Sequence, residues 1–306
     1  PGTTGGRVGG DAGAGGGVGG RGLRPPTGMD MGERAVFWFK EVSKKNYLCS
    51  MYFVKKARNI LLLWAVVLLP SCQKSPMEGG LEITFAFTFD GEALETDDHV
   101  YTIESGEAVK ITGIQYFISR FALVDKNGGR HSFSNEGNKI HYIDSDIASS
   151  LKWQPDEKIP SGIYEYVEFI YGLDSQYNQS GYFVNPPQAN MFWPDVLGGG
   201  YHYMKLNGYW AAAEDSVFLP FGLHTGIGQV EEGQRRFCQN YVSLRDTVRL
   251  YIADNHTSLL QIDMDVAEWF RNPHTWRFSQ FGGSIMQNQQ AQQVLKENAA
   301  SVFSLR

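Results

Sequence analysis

The sequence feature that most constrains the fold is the run at residues 81–89, in which large apolar side chains recur at every second position. Successive side chains of an extended strand point to opposite faces, so Leu81, Ile83, Phe85, Phe87 and Phe89 share one face. A strand with one apolar face has to bury that face against another layer of structure. The pattern therefore predicts a half-buried strand in a layered β protein.

Further apolar runs of strand length follow along the chain and are separated by turn-forming clusters such as Lys126-Asn127-Gly128-Gly129. They predict strands at residues 109–111, 114–124, 140–143, 163–171, 201–206, 217–223, 247–253 and 259–264. Short helices are predicted at residues 266–270 and 289–302. Many short strands without alternating β/α units predict an all-β fold, an antiparallel β-sandwich with short C-terminal helices, and disfavour parallel α/β folds.

The first 50 residues differ in composition from the rest of the chain. Twelve of the 35 glycines fall within the first 22 residues, where there is no hydrophobic periodicity. Residues 1–50 are therefore predicted to be disordered or to be an over-extended reading frame, with Met51 as the alternative start.

Residues 51–71 have the features of an export signal. Lys55, Lys56 and Arg58 precede an apolar stretch at residues 60–69, and the segment ends Leu-Pro-Ser before Cys72. The stretch is shorter than the roughly 20 residues that span a bilayer, which fits a signal peptide. The ending resembles a bacterial lipobox, so we expect Cys72 to be lipidated, residues 72–80 to be a linker and residues 81–306 to form one domain.

Charge and cysteine content narrow the function further. Of the 27 basic and 33 acidic side chains, residues 1–71 hold ten and four, which leaves residues 72–306 with 17 and 29 and a net charge of −12. An acidic body repels phosphate backbones, so a nucleic-acid partner is not expected. Cys238 is the one cysteine that falls in the predicted domain, and we interpret it as a small buried apolar residue. No standard catalytic motif is present, and the chain is predicted not to be an enzyme.

Histidine, methionine and aromatic residues are densest at residues 191–208 and 221–226. On a strand at residues 201–206, His202 and Met204 would share a face, and His224 would end the neighbouring hairpin strand. Imidazole and thioether ligands together suit copper, and thioethers favour the cuprous ion. The alternative is that both histidines are hydrogen-bonded core residues.

The same region permits a second interpretation. Aromatic side chains at positions 193, 201, 203, 209 and 210 could stack on a sugar ring, which suits a surface lipoprotein that binds glycans or proteins without a metal.

Several of these segments together resemble the MbnP-like family of exported copper-binding β-sandwich proteins. They are MFWPD at residues 191–195, GGYHYMKLNG at 199–208, GLHTG at 222–226, FTFDG at 87–91, IQYFIS at 114–119 and the tail from Gly283 onward. The resemblance covers residues 81–306. It implies a location in the bacterial cell envelope, facing the periplasm or the outer surface, and a cuprous site that uses histidine.

The resemblance also suggests roles for individual residues. His224 lies in the family's His-x-Gly element, and His202 is the natural second ligand. Trp193 occupies the Met-x-Trp position, where some members carry a tryptophan oxidised to kynurenine by a dihaem, MauG-like peroxidase. Trp193, Met191 and Met204 are the candidates to be modified or to cover the site. Some relatives space these residues as Trp-x-His, and this chain does not.

Overall fold

The structure is a computed structural model that describes residues 26–37, 40, 77–231 and 234–306. The predicted signal peptide, Cys72, and most of the segments at residues 1–50 and 72–80 lie outside the described residues. The chain divides into two units, residues 1–74 and 75–306. In the first unit, residues 31–37 are helical. Among the described residues, no helix is both long and apolar enough to cross a membrane.

The second unit is built mainly from strands, which we number β1 to β16 within the described residues. They are β1 Glu78–Phe89, β2 Glu92–Ala93, β3 Tyr101–Thr102, β4 Ala108–Asp125, β5 Arg130–Ser132, β6 Ile140–Asp144, β7 Lys152–Trp153, β8 Ile159–Pro160, β9 Gly162–Tyr171, β10 Met204–Ala211, β11 Leu219–Thr225, β12 Gly228–Gln229, β13 Phe237–Cys238, β14 Val242–Ile252, β15 Thr257–Asp265 and β16 Phe303–Leu305.

Helices are short in this unit, apart from the one near the C-terminus. The 3-10 helices are Glu136–Asn138, Ala148–Leu151, Gln188–Met191, Asp195–Leu197 and Val266–Phe270, and the α-helices are Phe278–Phe281 and Gln289–Val302. The C-terminal helix Gln289–Val302 begins after Asn288, whose side chain accepts a hydrogen bond from the Ala291 N–H and so caps the first turn.

The strands form two large sheets and one small hairpin. One sheet has the order β16-β15-β1-β2, with β7 and β8 also paired to β1. The other has the order β11-β10-β4-β9-β14, with β3, β5 and β6 also paired to β4, and β12 pairs with β13. The predicted all-β sandwich is confirmed. The antiparallel expectation fails for one pair, since β1 and β15 run parallel.

The inner faces of the two large sheets share one hydrophobic core. Ile83 from β1 and Ile262 from β15 are buried in the same cluster as Ile111 and Leu206 from the other sheet. The Phe87 and Tyr116 rings meet across the sheets with centroids 6.3 Å apart. The alternation at residues 81–89 thus marks the face that the sandwich buries, as the sequence predicted.

A second, smaller core lies on the other face of the larger sheet. Phe117 follows Tyr116 on β4 and therefore points away from the sandwich interior. It is buried in a cluster with Met191, Tyr201 and Tyr203, which lie in the connection at residues 172–203 or directly before β10. This long connection between β9 and β10 covers the outer face of the sheet and brings its own side chains to the outer face of β10 and β11.

Candidate metal centre

The outer face of the larger sheet carries a close pair of histidines. Along β11, Leu223 and Thr225 are buried and His224 is half-buried, because the alternating backbone turns His224 outward. His202 lies two residues before β10 begins at Met204. The two imidazole centroids are 5.1 Å apart and the ring planes are at 85°, an edge-to-face arrangement.

His202 is fixed by the backbone of the segment that runs beside it. Both its own N–H and its ring Nδ1 bond to the Met191 carbonyl oxygen, at 2.7 Å and 2.8 Å. A carbonyl oxygen only accepts, so Nδ1 carries the hydrogen and Nε2 keeps its lone pair. His202 is only 5% exposed, so this tautomer is held in a nearly closed environment.

His224 is fixed by the neighbouring strand. Its Nε2 lies 2.8 Å from the Asn207 side-chain oxygen on β10, which accepts a hydrogen bond and leaves Nδ1 with the lone pair. The ring lies across Gly222, since a Cβ at that position would come within 2.9 Å of His224 Nε2. Glycine at position 222 therefore makes room for this ring orientation.

Both imidazoles are held in their neutral form. Burial, with a smaller contribution from the positive charge of Lys205, lowers the pKa of His202 to about 3. Burial also lowers the pKa of His224 to about 4, again with a contribution from Lys205. Metal ligation requires a neutral imidazole, and neither ring has to lose a proton at neutral pH.

Trp193 closes one side of the histidine pair. It is 0% exposed, and its ring meets the His202 ring edge to face with centroids 4.8 Å apart. Its Nε1 donates to the Leu197 carbonyl oxygen at 3.2 Å. Gly226 lies directly against the indole, since a Cβ there would come within 2.6 Å of the ring. Chain folding thus brings Trp193 to the histidine without the Trp-x-His spacing.

The two methionines that the sequence predicted to cover the site have their side chains in the hydrophobic cores instead. Met204 points into the sandwich core, and the predicted shared face of His202 and Met204 is wrong. The strand starts at Met204, so His202 precedes it and does not follow its alternation. The Met191 side chain is buried in the smaller core, and Met191 acts on the pair through its carbonyl oxygen.

The structure also bears on two other expectations from the sequence, the sugar-stacking aromatic residues and a buried Cys238. Trp193, Tyr201 and Tyr203 are buried and do not offer a face on which a sugar could stack. Cys238 is half-buried rather than buried. Outside this region, the His141 ring stacks on Trp153 with centroids 5.0 Å apart.

The described residues contain no group of three or more His, Cys, Asp or Glu side chains placed to hold a metal ion. The donor set at this site is therefore two neutral imidazoles. A metal–nitrogen distance of about 2.0–2.1 Å allows two rings on one ion to have centroids up to about 6.4 Å apart. The observed 5.1 Å lies within that limit, so the spacing of the two rings permits a single shared ion.

A buried amide network that the sequence analysis missed supports the loop after His224. Gln292 Oε1 accepts from the Gly226 N–H at 3.1 Å, and Asn240 Nδ2 donates to the Gly226 carbonyl oxygen at 3.0 Å and to Gln292 Oε1 at 2.9 Å. Helical spacing places Gln292 on the face of Leu295, which is the sequence signal that could have found it. Through Gly226, the network supports both His224 and Trp193.

Replacing Gln292 with leucine is expected to lower the free energy of unfolding by about 2–4 kcal/mol, because the Gly226 N–H and the Met286 carbonyl lose their partner in a closed interior. Gln293→Leu is the matched control, since its side chain is exposed on the same helix, and its effect should stay within about 0.5 kcal/mol. Urea unfolding measures both, and equal effects would contradict the structural role of the network.

The fold and site define a class of protein, a β-sandwich with a close histidine pair on the outer face of its larger sheet. The family model MbnP matches residues 78–288, and the chain belongs to the MbnP family. The solved structure of MbnP from Methylosinus trichosporium is 12% identical over 74% of this chain and 98% of that chain, with a TM-score of 0.48. No curated protein matches the sequence significantly. The resemblance inferred from the sequence is thereby confirmed at the level of the family.

Proposed function

We propose that this protein binds copper as the cuprous ion, with His202 and His224 as ligands, and that it acts by binding rather than by catalytic turnover. The observation that supports this most directly is the edge-to-face pair at 5.1 Å. In each ring, one nitrogen is hydrogen-bonded to an oxygen and the other keeps a lone pair. Hydrogen bonds of this kind orient metal-ligating histidines and raise their basicity.

The chemistry of the donor set favours copper over other common metals. Calcium and magnesium select oxygen ligands, and the two ligands here are nitrogens. Among the first-row divalent ions, imidazole sites bind copper most tightly, and copper also has a monovalent state that suits an uncharged donor set. A buried indole beside His202 limits the access of water to the ligand.

The test is a competition titration of the purified protein with cuprous ion, under reducing and oxygen-free conditions, against a chromophoric chelator. We expect one cuprous ion per chain, with nitrogen ligands in the X-ray absorption spectrum. A protein that takes up no copper, or that binds it with unchanged affinity after both histidines are replaced, would refute the proposal.

We also propose a partner, a dihaem, MauG-like peroxidase. Its target would be Trp193, which it would oxidise to kynurenine. Its support is the position of the indole against the His202 ring. The intact mass of protein purified from its native host measures the modification directly. If the protein binds copper and has the unmodified mass, the modification is refuted and the role of Trp193 is only to cover the site.

Export and lipid anchoring complete the proposal and rest on the sequence of residues 51–72. We expect the full-length chain to fractionate with membranes of the bacterial cell envelope through acyl chains on Cys72. Cys72→Ala should release it, while Cys49→Ala, which lies before the predicted signal, should leave it anchored. Equal fractionation of the two variants would exclude lipidation at Cys72.

A further inference from the structure

A lysine lies beside the histidine pair and has no assigned role. The register of the β10–β11 hairpin places Lys205 directly opposite His224. The burial pattern turns both half-buried side chains to the same outer face. Side chains at opposed positions of neighbouring antiparallel strands have Cβ atoms about 5 Å apart, so the stem of Lys205 starts next to the imidazole of His224.

The ammonium group is tethered near His202 as well. Lys205 Nζ donates to the Asn190 carbonyl oxygen at 2.7 Å. Asn190 precedes Met191, whose carbonyl oxygen holds the His202 ring. The Lys205 ammonium carries the positive charge of the site, and burial lowers its pKa below the ordinary value of a lysine. This hydrogen bond therefore holds the positive charge at the edge of the pair.

The proposed site has no carboxylate ligand that would offset the charge of the Lys205 ammonium. The described residues contain no group of three or more His, Cys, Asp or Glu side chains that could hold a metal ion, and none of the charged groups that shift the pKa of His202 or His224 is acidic. Sites for divalent ions commonly include anionic ligands, which balance the charge of the ion. Here two neutral imidazoles face a fixed cation.

We propose that Lys205 makes the histidine pair selective for a monovalent over a divalent metal ion, an inference that rests on the copper site proposed above. The Coulomb repulsion between the ammonium and a bound ion grows in proportion to the charge of the ion. Lys205 therefore opposes a divalent ion twice as strongly as a monovalent one at the same position. Selectivity in this form comes from charge and does not require a different set of ligands.

The experiment compares the affinities of the full folded domain for Cu(I) and Zn(II), which are both closed-shell ions that accept imidazole. Lys205→Met removes the charge and keeps an unbranched stem, whereas Lys205→Arg keeps the charge. Lys126→Met is the remote control, in the exposed turn after β4. Zn(II) can also bind elsewhere on the protein. Only the Zn(II) binding that is lost in His202→Ala is counted as binding at the histidine pair.

Lys205→Met is expected to increase the affinity for Zn(II) about tenfold more than the affinity for Cu(I), because the half-buried ammonium acts through a partly screened field. Lys205→Arg and Lys126→Met should keep the wild-type ratio. A lysine that only tethers Asn190 would change both affinities together and leave their ratio unchanged, which would overturn the inference. Undetectable Zn(II) binding by Lys205→Met would also overturn it. A wild-type protein that binds no Cu(I) would instead refute the copper proposal itself.

Discussion

Replacing His202 with alanine is expected to weaken cuprous binding by about a hundredfold or more. Loss of an outer hydrogen-bonding partner of a metal ligand already lowers affinity about 10–100-fold, and the loss of one of two proposed ligands should exceed that. His224→Ala should have a similar effect. The double variant should be little weaker than either single variant, because one remaining imidazole no longer forms a site. Competition against a cuprous chelator measures all three.

A matched control separates ligation from the general effect of removing a buried imidazole. His141 is also largely buried, and its ring lies between Phe85 and Trp153 in the sandwich, where it contacts neither proposed ligand. His141→Phe should therefore leave cuprous affinity unchanged. If this variant lost copper as severely as His202→Ala, the loss would reflect a damaged fold, and the assignment of His202 as a ligand would fail.

Acidification from about pH 6.5 to about pH 4.5 is expected to destabilise the metal-free protein steeply. Burial lowers the pKa of His141 to about 4, that of His202 to about 3 and that of His224 to about 4. In the unfolded chain these groups titrate near 6.5. Within this pH window the unfolded chain binds protons that the folded chain does not bind, so stability is present above about pH 6.5 and is lost as the pH falls.

The size of this effect is set by the number of buried imidazoles. Each can contribute up to about 1.4 kcal/mol per pH unit in the lower part of the window. Urea unfolding at about pH 7 and about pH 5 gives the slope. His141→Phe should reduce the slope by up to about a third, because one of the three most strongly shifted imidazoles is gone. A slope that does not change in this variant would show that the imidazoles do not control the acid response.

The strands were predictable wherever one face is buried and the other is not. The alternation at residues 81–89 identified β1, and the C-terminal helix was predicted with the bounds Gln289–Val302 that the structure shows. Strand ends were less accurate, as at Met204, where the sequence predicted a strand from Tyr201. The side chains of Tyr201 and Tyr203 are buried as in a strand, but they lie in the smaller core, and the regular strand begins only at Met204.

The proposed ligands were predictable as residue types, while their surroundings were not. The sequence indicated that His224 lies on the hairpin strand next to the segment of His202, and the structure brings the two rings together. Nothing local indicated that Asn207 and the Met191 carbonyl would fix the tautomers, that Lys205 would lie opposite His224, or that Asn240 would support Gly226. Each of these contacts depends on strand register or on the path of a long connection.

By itself, the sequence determined that residues 81–306 form a layered β structure, because the burial of one strand face imposes a two-residue period that can be read locally. The placement of Trp193, His202 and His224 at one point, and of Met204 on the opposite face, was decided only in the tertiary structure. The physical reason is that pairings between residues far apart in the chain set the register of β10 against β11 and the course of residues 172–203. A one-residue shift in either would turn these side chains to the other face.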